Sequence, residues 1–526
     1  MNLRDISNRL IDSSFQKKIV DKSKTTLLAY LSRRVLLPTA AGLLPTAAGL
    51  LPTAAGLLVL TTLFACQDRA SEPEAALANT SEQAELTQLD DIEALAQRIS
   101  FGDKALILDE EIGGENANFR AAKARGIEAV AAGDYQTATS YFEEALSYYK
   151  NAPETLIYLN NARINDSTNR YTLAAAVPIS DDLPAAQAML RGVAQAQNKI
   201  NENGGINGVL LRIVIADDAG DAATAPDLAR TIASDSDVLG VVGHYYSSVT
   251  LSAENTYEQA QLAIIALSSS VEISSLDNDY IFRTSPSDAV TGKALADYAL
   301  DNWNAERVAV FYNSDSSYSN SLKSEFENYI LSEQGEVVAE LDWSQKSFNP
   351  KRAFEQAVEQ DAELLMVVPA SFEELQKNVF PIAQQNFTTE DPIRMMGGDV
   401  AYSGTVLEEE FEGMVVGAFW HIGAVDPNAE FILQSRELWT ADVNWVTAMA
   451  YDATEAWIEA FKRSEAAPTR TDLQMILSES TFSASGASSE VRFSRNGDRP
   501  IASQLVEVTR KDTSSEQYYF EPVSRD

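Results

Sequence analysis

The regular alternation of short apolar runs with helical stretches, which begins at Tyr171, limits the folds open to this chain more than any other feature. The runs YTLAAAVPI, VLLRIVIADD, VLGVVG and LAIIAL are separated by stretches of helical period, and the same order continues through RVAVFYNSD, ELLMVVPA and PIRMMGGD. Strands buried on both faces form apolar runs, and helices between them make right-handed crossovers onto a parallel sheet. The pattern predicts an α/β fold, and two such series predict two doubly wound lobes joined by a hinge.

An apolar run near the N-terminus contains the heptad LLPTAAG three times in succession, from Leu36 to Gly56. A seven-residue unit is too short for a repeat fold, whose units are about 20–50 residues long. The run is long enough to span a bilayer, but Pro38 and its equivalent in each copy would interrupt the helix. Lysines and arginines precede the run, so a signal peptide is the best interpretation of residues 1–65.

The run ends in Leu63-Phe64-Ala65-Cys66, which resembles the lipobox of bacterial lipoproteins, Leu-x-(Ala/Gly)-Cys. In that family the cysteine is lipidated and becomes the first residue of the mature chain. The resemblance implies a lipid on Cys66 and a location outside the cytoplasm, in the periplasm or at the cell surface, with the lipid as the only membrane contact. The alternative, a lone buried cysteine, fits poorly with the polar QDRASEPEAA that follows at once.

The charge of the chain excludes one class of partner. The net charge is −37, and because the first 65 residues carry eight basic and three acidic side chains, the remainder carries −42. A strongly anionic protein repels nucleic acid, so no nucleic-acid partner is expected. Near the start of residues 66–115 stands SEPEAALANTSEQAEL, which is acidic, rich in small residues and free of aromatic residues, and we interpret residues 66–115 as a tether.

Residues 116–168 have a helical period broken at Gly133-Asp134. The small residues Ala138 and Ala145 share one helix face with Phe142. The order G-D-Y-x-x-A-x-x-x-F-x-x-A-L, followed by N-x-P-E, resembles a tetratricopeptide unit, which implies an α-helical hairpin. Two roles stay open for this segment: a peptide-binding groove, or a helical spacer that packs on its neighbour.

Hydroxyl groups and one acid follow the ends of predicted strands, where open α/β sheets bind ligands. Ser247 follows VLGVVG, and the cluster Ser268–Ser270 follows LAIIAL, each at the start of a helix whose free amides favour an anion. Asp399 follows RMMGG, and Tyr318 follows RVAVFYNSD, both in the other lobe. An anion site that faces an acid predicts a zwitterionic ligand such as an amino acid.

Each of these residues also has a purely structural interpretation. The serines at 268–270 would serve as a helix cap, and Asp399 as a solvated loop acid. Tyr245 and Tyr246 are either packing residues or walls of a pocket, and we take Tyr246 as the candidate. Trp445 lies on a helical stretch, which favours a place in the core rather than in a pocket.

Nothing in the sequence points to catalysis. Only His244 and His421 are present, with no H-x-x-x-H or H-E-x-x-H pattern and no G-x-S-x-G. His244 and Ser247 lie on one turn and make a weak nucleophile–base pair. A single cysteine leaves no thiolate set for structural zinc. We therefore expect a protein that is not an enzyme and has no metal site and no cofactor.

Four stretches give the part from residue 171 to residue 510 its resemblance to a known family. They are INENGGINGVLLRIVIADDAGD, VLGVVGHYYSSVTLSAENTYEQAQLAIIALSSS, YIFRTSPSDAVTGKALADY and FSASGASSEVRFSRNGDRP. These resemble the branched-chain amino-acid binding proteins of ABC importers, which have the type I periplasmic binding fold. The resemblance implies that residues 169–526 form this domain, with lobe 1 at about 169–288 plus 420–490 and lobe 2 at about 289–419 plus the C-terminal strands.

The resemblance also assigns roles to individual residues. It implies that Ser247, Ser268 and Ser270 hold the ligand carboxylate and that Asp399 holds its amino group. Tyr318 stands where the family has the tyrosine of a Y-G loop, although Ser319 replaces the glycine. Three departures from the family leave the ligand's side chain open: the first-strand loop at Ser180–Pro184, the absence of an aromatic residue at 370–371, and aspartate where many members have glutamate.

The function implied is capture of an amino acid or a similar small carboxylate or amide for an ABC-type permease, by a lipid-anchored binding protein. An alternative from another class remains. A tetratricopeptide-like segment before this fold on a lipoprotein also resembles the activators of peptidoglycan synthases, which keep the fold as a protein-interaction module. Intact serines and Asp399 around an open cleft favour the first hypothesis, and a filled cleft favours the second.

Overall fold

A computed structural model describes residues 94–108, 116–164, 169–464, 467–487, 489–511 and 517–523. The chain divides into two units, residues 1–73 and 74–526, and all described residues belong to the second unit. The LLPTAAG run and Cys66 lie outside the described residues, as does the first part of the predicted tether. None of the described helices has the length and hydropathy needed to cross a membrane.

The first lobe is built on a six-stranded sheet with the order β1-β3-β2-β4-β5-β6. The strands β2 to β6 are parallel, and β1 pairs antiparallel with β3 at the sheet edge. Most residues of the parallel strands are buried, which explains why they form apolar runs in the sequence. The strands are β1 Ile99–Ser100, β2 Arg170–Val177, β3 Leu210–Asp217, β4 Val238–Val242, β5 Ile264–Ala266 and β6 Ile281–Arg283.

The second lobe is built on a seven-stranded sheet with the order β15-β14-β11-β10-β9-β7-β8. The strands β7 to β11 are parallel, and β14 and β15 extend the sheet antiparallel at one edge. The strands are β7 Arg307–Tyr312, β8 Glu336–Asp342, β9 Leu364–Val368, β10 Arg394–Gly397, β11 Val415–Ala418, β14 Gln504–Arg510 and β15 Tyr518–Pro522; β12 Ala484–Ser485 and β13 Glu490–Val491 form a separate pair. The predicted two-lobed α/β fold is confirmed.

Helices cover the two sheets and form the N-terminal segment. A π-helical turn, Leu375–Val379, separates two of the helices in the second lobe. The helices are α1 Ala117–Ala131, α2 Tyr135–Tyr148, α3 Pro153–Ile164, α4 Leu183–Glu202, α5 Ala225–Ser234, α6 Ser247–Gln259, α7 Val271–Ser274, α8 Asp288–Trp303, α9 Ser317–Ser332, α10 Pro350–Glu359, α11 Phe372–Glu374, α12 Phe380–Phe387, α13 Glu430–Trp439, α14 Trp445–Arg463 and α15 Arg470–Leu477.

Three segments connect the lobes: the one after β6, the one after β11 and the one before β14. Hydrogen bonds link the segment before β14 to α8 and to the end of β11, and the segment after β6 to the long helix α14. Thr291 Oγ1 donates to Ser503 Oγ at 3.2 Å, and Ser503 Oγ donates to the carbonyl of Ala418 at 3.2 Å. Thr284 Oγ1 donates to the carbonyl of Met449 in α14 at 3.0 Å. The two lobes join at these three segments, and a hinge between the lobes stays a prediction.

The helices α1 and α2 pack closely as a hairpin. Ala138, Phe142 and Ala145 are fully buried, and the Phe142 ring lies where a Cβ on Gly126 would stand, so the close approach requires glycine there. The helix α3 continues from this hairpin onto lobe 1. The side chain of Asn161 in α3 makes two hydrogen bonds to Ile213 of β3. Its Nδ2 donates to the Ile213 carbonyl at 2.7 Å, and its Oδ1 accepts from the Ile213 amide at 3.1 Å.

The structure differs from the predicted tether at its C-terminal end. Residues of the described part 94–108 are packed on the fold, where Ile99–Ser100 forms the edge strand β1 and Ile107 is fully buried. The Glu154 carboxylate accepts from the amide of Leu106 at 2.8 Å and forms an ion pair of 2.8 Å with Lys123. The amino-acid composition did not indicate that residues 94–108 pack on the fold, because only a few apolar side chains make these contacts.

Candidate ligand-binding site

A small cavity lies between the lobes, at the carboxyl ends of strands from both sheets. It encloses about 20 Å³. Lobe 1 and α14 supply one wall and lobe 2 supplies the other, as expected for a switch-point site in an open α/β sheet. The lining residues are Tyr245, Tyr246, Ser247, Leu267, Ser268, Ser269, Tyr318, Ala370, Asp399, Val400, Phe419 and Trp445.

The lobe 1 wall presents hydroxyl groups beside a helix start. Ser247 is the first residue of α6, and its Oγ accepts a 3.2 Å hydrogen bond from the amide of Ser270. The Ser268 hydroxyl shares a 2.9 Å hydrogen bond with Thr250. Tyr246 holds the N-cap position of α6 and makes no side-chain bond to the amides of the first turn. These amides and the helix dipole therefore favour a carboxylate at this wall.

Ser270 does not line the cavity, in contrast to the other five candidate ligand-binding residues. It is fully buried, and its Oγ accepts from the amide of Glu272 at 3.3 Å, which caps the short helix α7. Its own amide donates to Ser247. Ser270 thus supports Ser247 from behind, and the neighbouring Ser269 takes the place at the cavity that the sequence analysis gave to Ser270.

The lobe 2 wall presents a buried acid. Asp399 follows β10, is 5% exposed, and its Oδ1 has no hydrogen-bond partner among the described residues. Burial raises the pKa of this carboxyl to about 7, the hydroxyl of Tyr318 opposes the rise, and the carboxylate of Asp288 adds to it. Tyr318 reaches this position because Gly398 has no side chain, since a Cβ there would overlap the tyrosine hydroxyl.

Aromatic rings form much of the rest of the cavity, together with Leu267, Ala370 and Val400. Tyr245 and Tyr246 both line it, and the Tyr246 hydroxyl donates to Asp182 Oδ2 at 3.4 Å. Trp445 lines the cavity as well. Its ring is buried, as a core residue's would be, but it lies at the first turn of α14 and borders the cavity. The prediction that Trp445 is a core residue was therefore incomplete. Asn444, a capping residue directly before it, was the available signal that a helix starts there.

Sequence reasoning missed Asp288. This residue is fully buried at the start of α8, beside Ser269 of lobe 1 and Ser321 of lobe 2. Burial raises the pKa of the Asp288 carboxyl to about 6, and the nearby serine hydroxyls oppose the rise. Asp288 does not line the cavity, but it lies where the lobes meet.

The arrangement around His244 does not provide a base for Ser247. The imidazole is fully buried, with Nδ1 at 2.6 Å from Asp218 Oδ2 and Nε2 at 2.9 Å from the Tyr257 hydroxyl. Both ring nitrogens are thereby engaged in lobe 1, away from Ser247. Within the described ranges, no group of three or more His, Cys, Asp and Glu side chains is arranged to bind a metal.

Comparisons with known proteins point to one family. The profile of a family described as periplasmic binding protein matches residues 179–513. An amino acid binding protein of Pseudomonas aeruginosa is 33% identical over 126 residues, which are 24% of this chain and 34% of that protein. The Leu/Ile/Val-binding protein of Escherichia coli K12 is 34% identical over 122 residues, which are 23% of this chain and 33% of that protein. The chain thus spans about a third of the length of these curated relatives.

Solved structures match the fold over a longer range. An ABC transporter substrate-binding protein from Desulfitobacterium hafniense in complex with Leu covers 67% of this chain and 100% of its own, with 22% identity and a TM-score of 0.56. A solute binding protein of an ABC transporter from Rhodopseudomonas palustris in complex with 3,4-dihydroxybenzoic acid covers 68% of this chain and 97% of its own, with 15% identity and a TM-score of 0.60. At these identities the likeness concerns the fold.

Proposed function

This chain belongs to the periplasmic binding protein family, and on that premise we propose that it captures an amino acid, or a similar small carboxylate or amide, outside the cytoplasm and delivers it to an ABC-type permease. The lobes close on the ligand by a hinge motion, the usual mode of proteins with this fold. The names of the relatives, which specify amino acids, support this ligand class.

The observation that carries the proposal is the buried carboxylate of Asp399. Its Oδ1 has no hydrogen-bond partner among the described residues, and Asp399 lines a cavity whose opposite wall holds Ser247. A buried charge without a partner is costly, so the site suits a ligand cation. The ammonium of a zwitterion pairs with Asp399, while its carboxylate accepts from Ser247 and from the amides at the start of α6.

The same proposal includes the membrane anchor. A lipid on Cys66 holds the protein at the membrane, and we invoke no other membrane contact. One acyl chain gives only weak attachment, and stable anchoring requires two membrane-binding signals. The binding lobes then remain close to the permease that receives the ligand.

Calorimetry on the purified full-length protein tests the proposal. The protein is unfolded, dialysed and refolded to remove any ligand that co-purifies, and then titrated with the standard amino acids, small amides and urea. Saturable heat with at least one of them is the expected result. The absence of heat and of a melting shift with all of them would contradict the proposal.

One observation favours a second candidate function, that of a protein-interaction module such as an activator of peptidoglycan synthases. The cavity of about 20 Å³ is small for a ligand site, and α3 joins the N-terminal helices firmly to lobe 1 through Asn161. A pull-down with the full-length protein distinguishes the two. Recovery of cell-wall synthases without permease subunits favours the second function, and the reverse favours the first.

A further inference from the structure

Beside the serines of lobe 1, the cavity is lined by three aromatic rings in contact, Tyr245, Trp445 and Phe419, which we call the aromatic wall. Tyr245 stacks on Trp445 with ring centroids 6.0 Å apart and planes inclined by 22°. Trp445 meets the Phe419 ring edge to face, with centroids 4.5 Å apart. The wall therefore runs without a gap from the loop after β4 to the hinge segment after β11.

A ligand side chain cannot enter between these rings. A nonbonded carbon contact takes about 3.5–4.0 Å, so two ring faces that enclose a third group stand about 7–8 Å apart. The stacked Tyr245 and Trp445 are closer than that.

Two of the three rings are also fixed in place. Trp445 and Phe419 are each 2% exposed and pack into the main apolar core of lobe 1. Turning either ring away would leave a void in that core, and voids of this kind are costly. Trp445 and Phe419 therefore make the part of the aromatic wall that they form a fixed boundary of the site.

The cavity that remains is small. Its volume of about 20 Å³ compares with the roughly 10–15 Å³ that a single water occupies by the same measure. Any ligand must separate the lobes to some extent, and each further carbon of its side chain requires more separation. Separation moves Asp399 and Ser247 away from the two ends of a zwitterion, so affinity falls as the side chain grows.

We propose that the site selects amino acids with the smallest side chains, of the size of glycine, alanine and serine, and discriminates against branched aliphatic and aromatic ones. This inference rests on the proposed function, because it specifies the ligand of the same site. It separates this chain from relatives whose names and titles specify Leu, Ile and Val.

Titration calorimetry on the refolded full-length protein with glycine, alanine, serine, leucine and phenylalanine tests the selectivity directly. We expect alanine or glycine to bind at least about tenfold more tightly than leucine, since one methylene group in a fitted pocket changes discrimination by about 10–200-fold. Tightest binding of leucine or phenylalanine would overturn the inference and leave the proposed function standing. No binding of any amino acid would overturn both.

A variant of the aromatic wall gives a second test. In Trp445→Ala we expect leucine to gain at least about tenfold relative to alanine. Trp303→Ala is the matched control, because that indole lies in lobe 2 beside Arg394, outside the cavity. If Trp445→Ala does not fold, as judged by its melting curve, Tyr245→Ala serves instead because that ring is only half-buried. An unchanged leucine-to-alanine ratio in the folded variant contradicts the inference.

Discussion

Ser321 of lobe 2 accepts a 3.0 Å hydrogen bond from the backbone amide of Val271 in lobe 1. Ser321 stands one helical turn after Tyr318 on α9, and Val271 begins α7 directly after the serines of the cavity. The bond crosses the cleft beside the candidate site. The bond requires the lobes to be as close as they are in this structure, so on the proposed closing motion it would stabilise the closed state.

Removal of this bond should weaken ligand binding without changing the cavity. We expect Ser321→Ala to lower affinity by about two- to tenfold, because a single hydrogen bond contributes about 0.5–1.5 kcal/mol. Calorimetry with the preferred amino acid measures the effect. Ser324→Ala, an exposed serine on the same helix, is the control. Equal affinities in the two variants would show that the bond does not contribute to closure.

The two walls of the cavity should contribute unequally to the free energy of ligand binding. Asp399→Asn leaves the ligand ammonium without its counter-charge, and truncating one partner of a buried charge pair costs about 2–5 kcal/mol. We therefore expect an affinity loss on the order of 10²–10³. Ser247→Ala should cost about 1–2 kcal/mol, because the amides of α6 still hold the carboxylate.

A ligand that carries a carboxylate and no amine predicts the reverse order for these two variants. Asp399→Asn would then be neutral or bind more tightly, and Ser247→Ala would show the larger loss. Calorimetry on both variants with one ligand decides between these cases. Small and equal effects would mean that the ligand binds elsewhere.

Affinity for an amino acid should depend on pH through Asp399. Burial raises the pKa of the Asp399 carboxyl to about 7 in the ligand-free site, and an ammonium binds only its ionised form. Affinity should fall by about tenfold per pH unit below pH 7 and level off above it, with proton release on binding in the lower range. The same shift stabilises the ligand-free fold as pH falls, because the folded state then holds a proton that the unfolded state releases.

Calorimetry from about pH 5 to about pH 8, in buffers of different ionisation enthalpy, measures both the affinity and the protons released. The Asp399→Asn variant is the control, since it lacks the titrating group and should give a flat profile. A slope that persists in this variant would assign the pH dependence to another group.

The ion pair between Lys123 and Glu154 should hold the N-terminal helices on the fold. Both side chains are 1% exposed and their charged atoms lie 2.8 Å apart. Lys123→Met leaves the Glu154 carboxylate buried without its cation, and breaking a buried pair costs about 3–5 kcal/mol. Denaturant unfolding should show this loss, while Lys150→Met at an exposed site should be close to neutral. The double variant Lys123→Met/Glu154→Gln should recover part of the stability, and a further loss instead would contradict this account.

Replacement of Cys66 should release the protein from the membrane. A Cys66→Ser chain has no thiol to acylate, so we expect it in the soluble extracytoplasmic fraction or as an uncleaved precursor. Fractionation of cells and the intact mass of the protein measure this. A wild-type chain without added lipid mass, or a Cys66→Ser chain with unchanged membrane attachment, would argue against lipidation.

The arrangement of strands and helices from Tyr171 onward could be predicted because each buried strand requires a continuous apolar run, which is a local property of the sequence. The position of Asp399 after β10 followed from the same rule, since ligands bind where parallel strands end. Its burial did not follow, because it depends on how closely the lobes approach.

Contacts between distant parts of the chain escaped prediction. Ser270 and Ser269 are neighbours, and only the direction of the turn decides which one faces the cavity. Trp445 has the periodicity of a core residue, and it is one, yet its place at the first turn of α14 also exposes it to the cleft. Asp288 and Ser321 meet from two separate helices of lobe 2, beside Ser269 of lobe 1, and no spacing in the sequence indicates that meeting.

The N-terminal helices and the strand β1 are attached to lobe 1, where β1 pairs with β3 and Asn161 binds β3 as well. A force applied to the chain from its N-terminal side would therefore act on lobe 1. On the proposed closing motion, lobe 1 would be the stationary part, and lobe 2 would move relative to it when the cleft opens. A receiving protein at the membrane would then register the ligand as a change in the position of lobe 2, measured against a fixed reference.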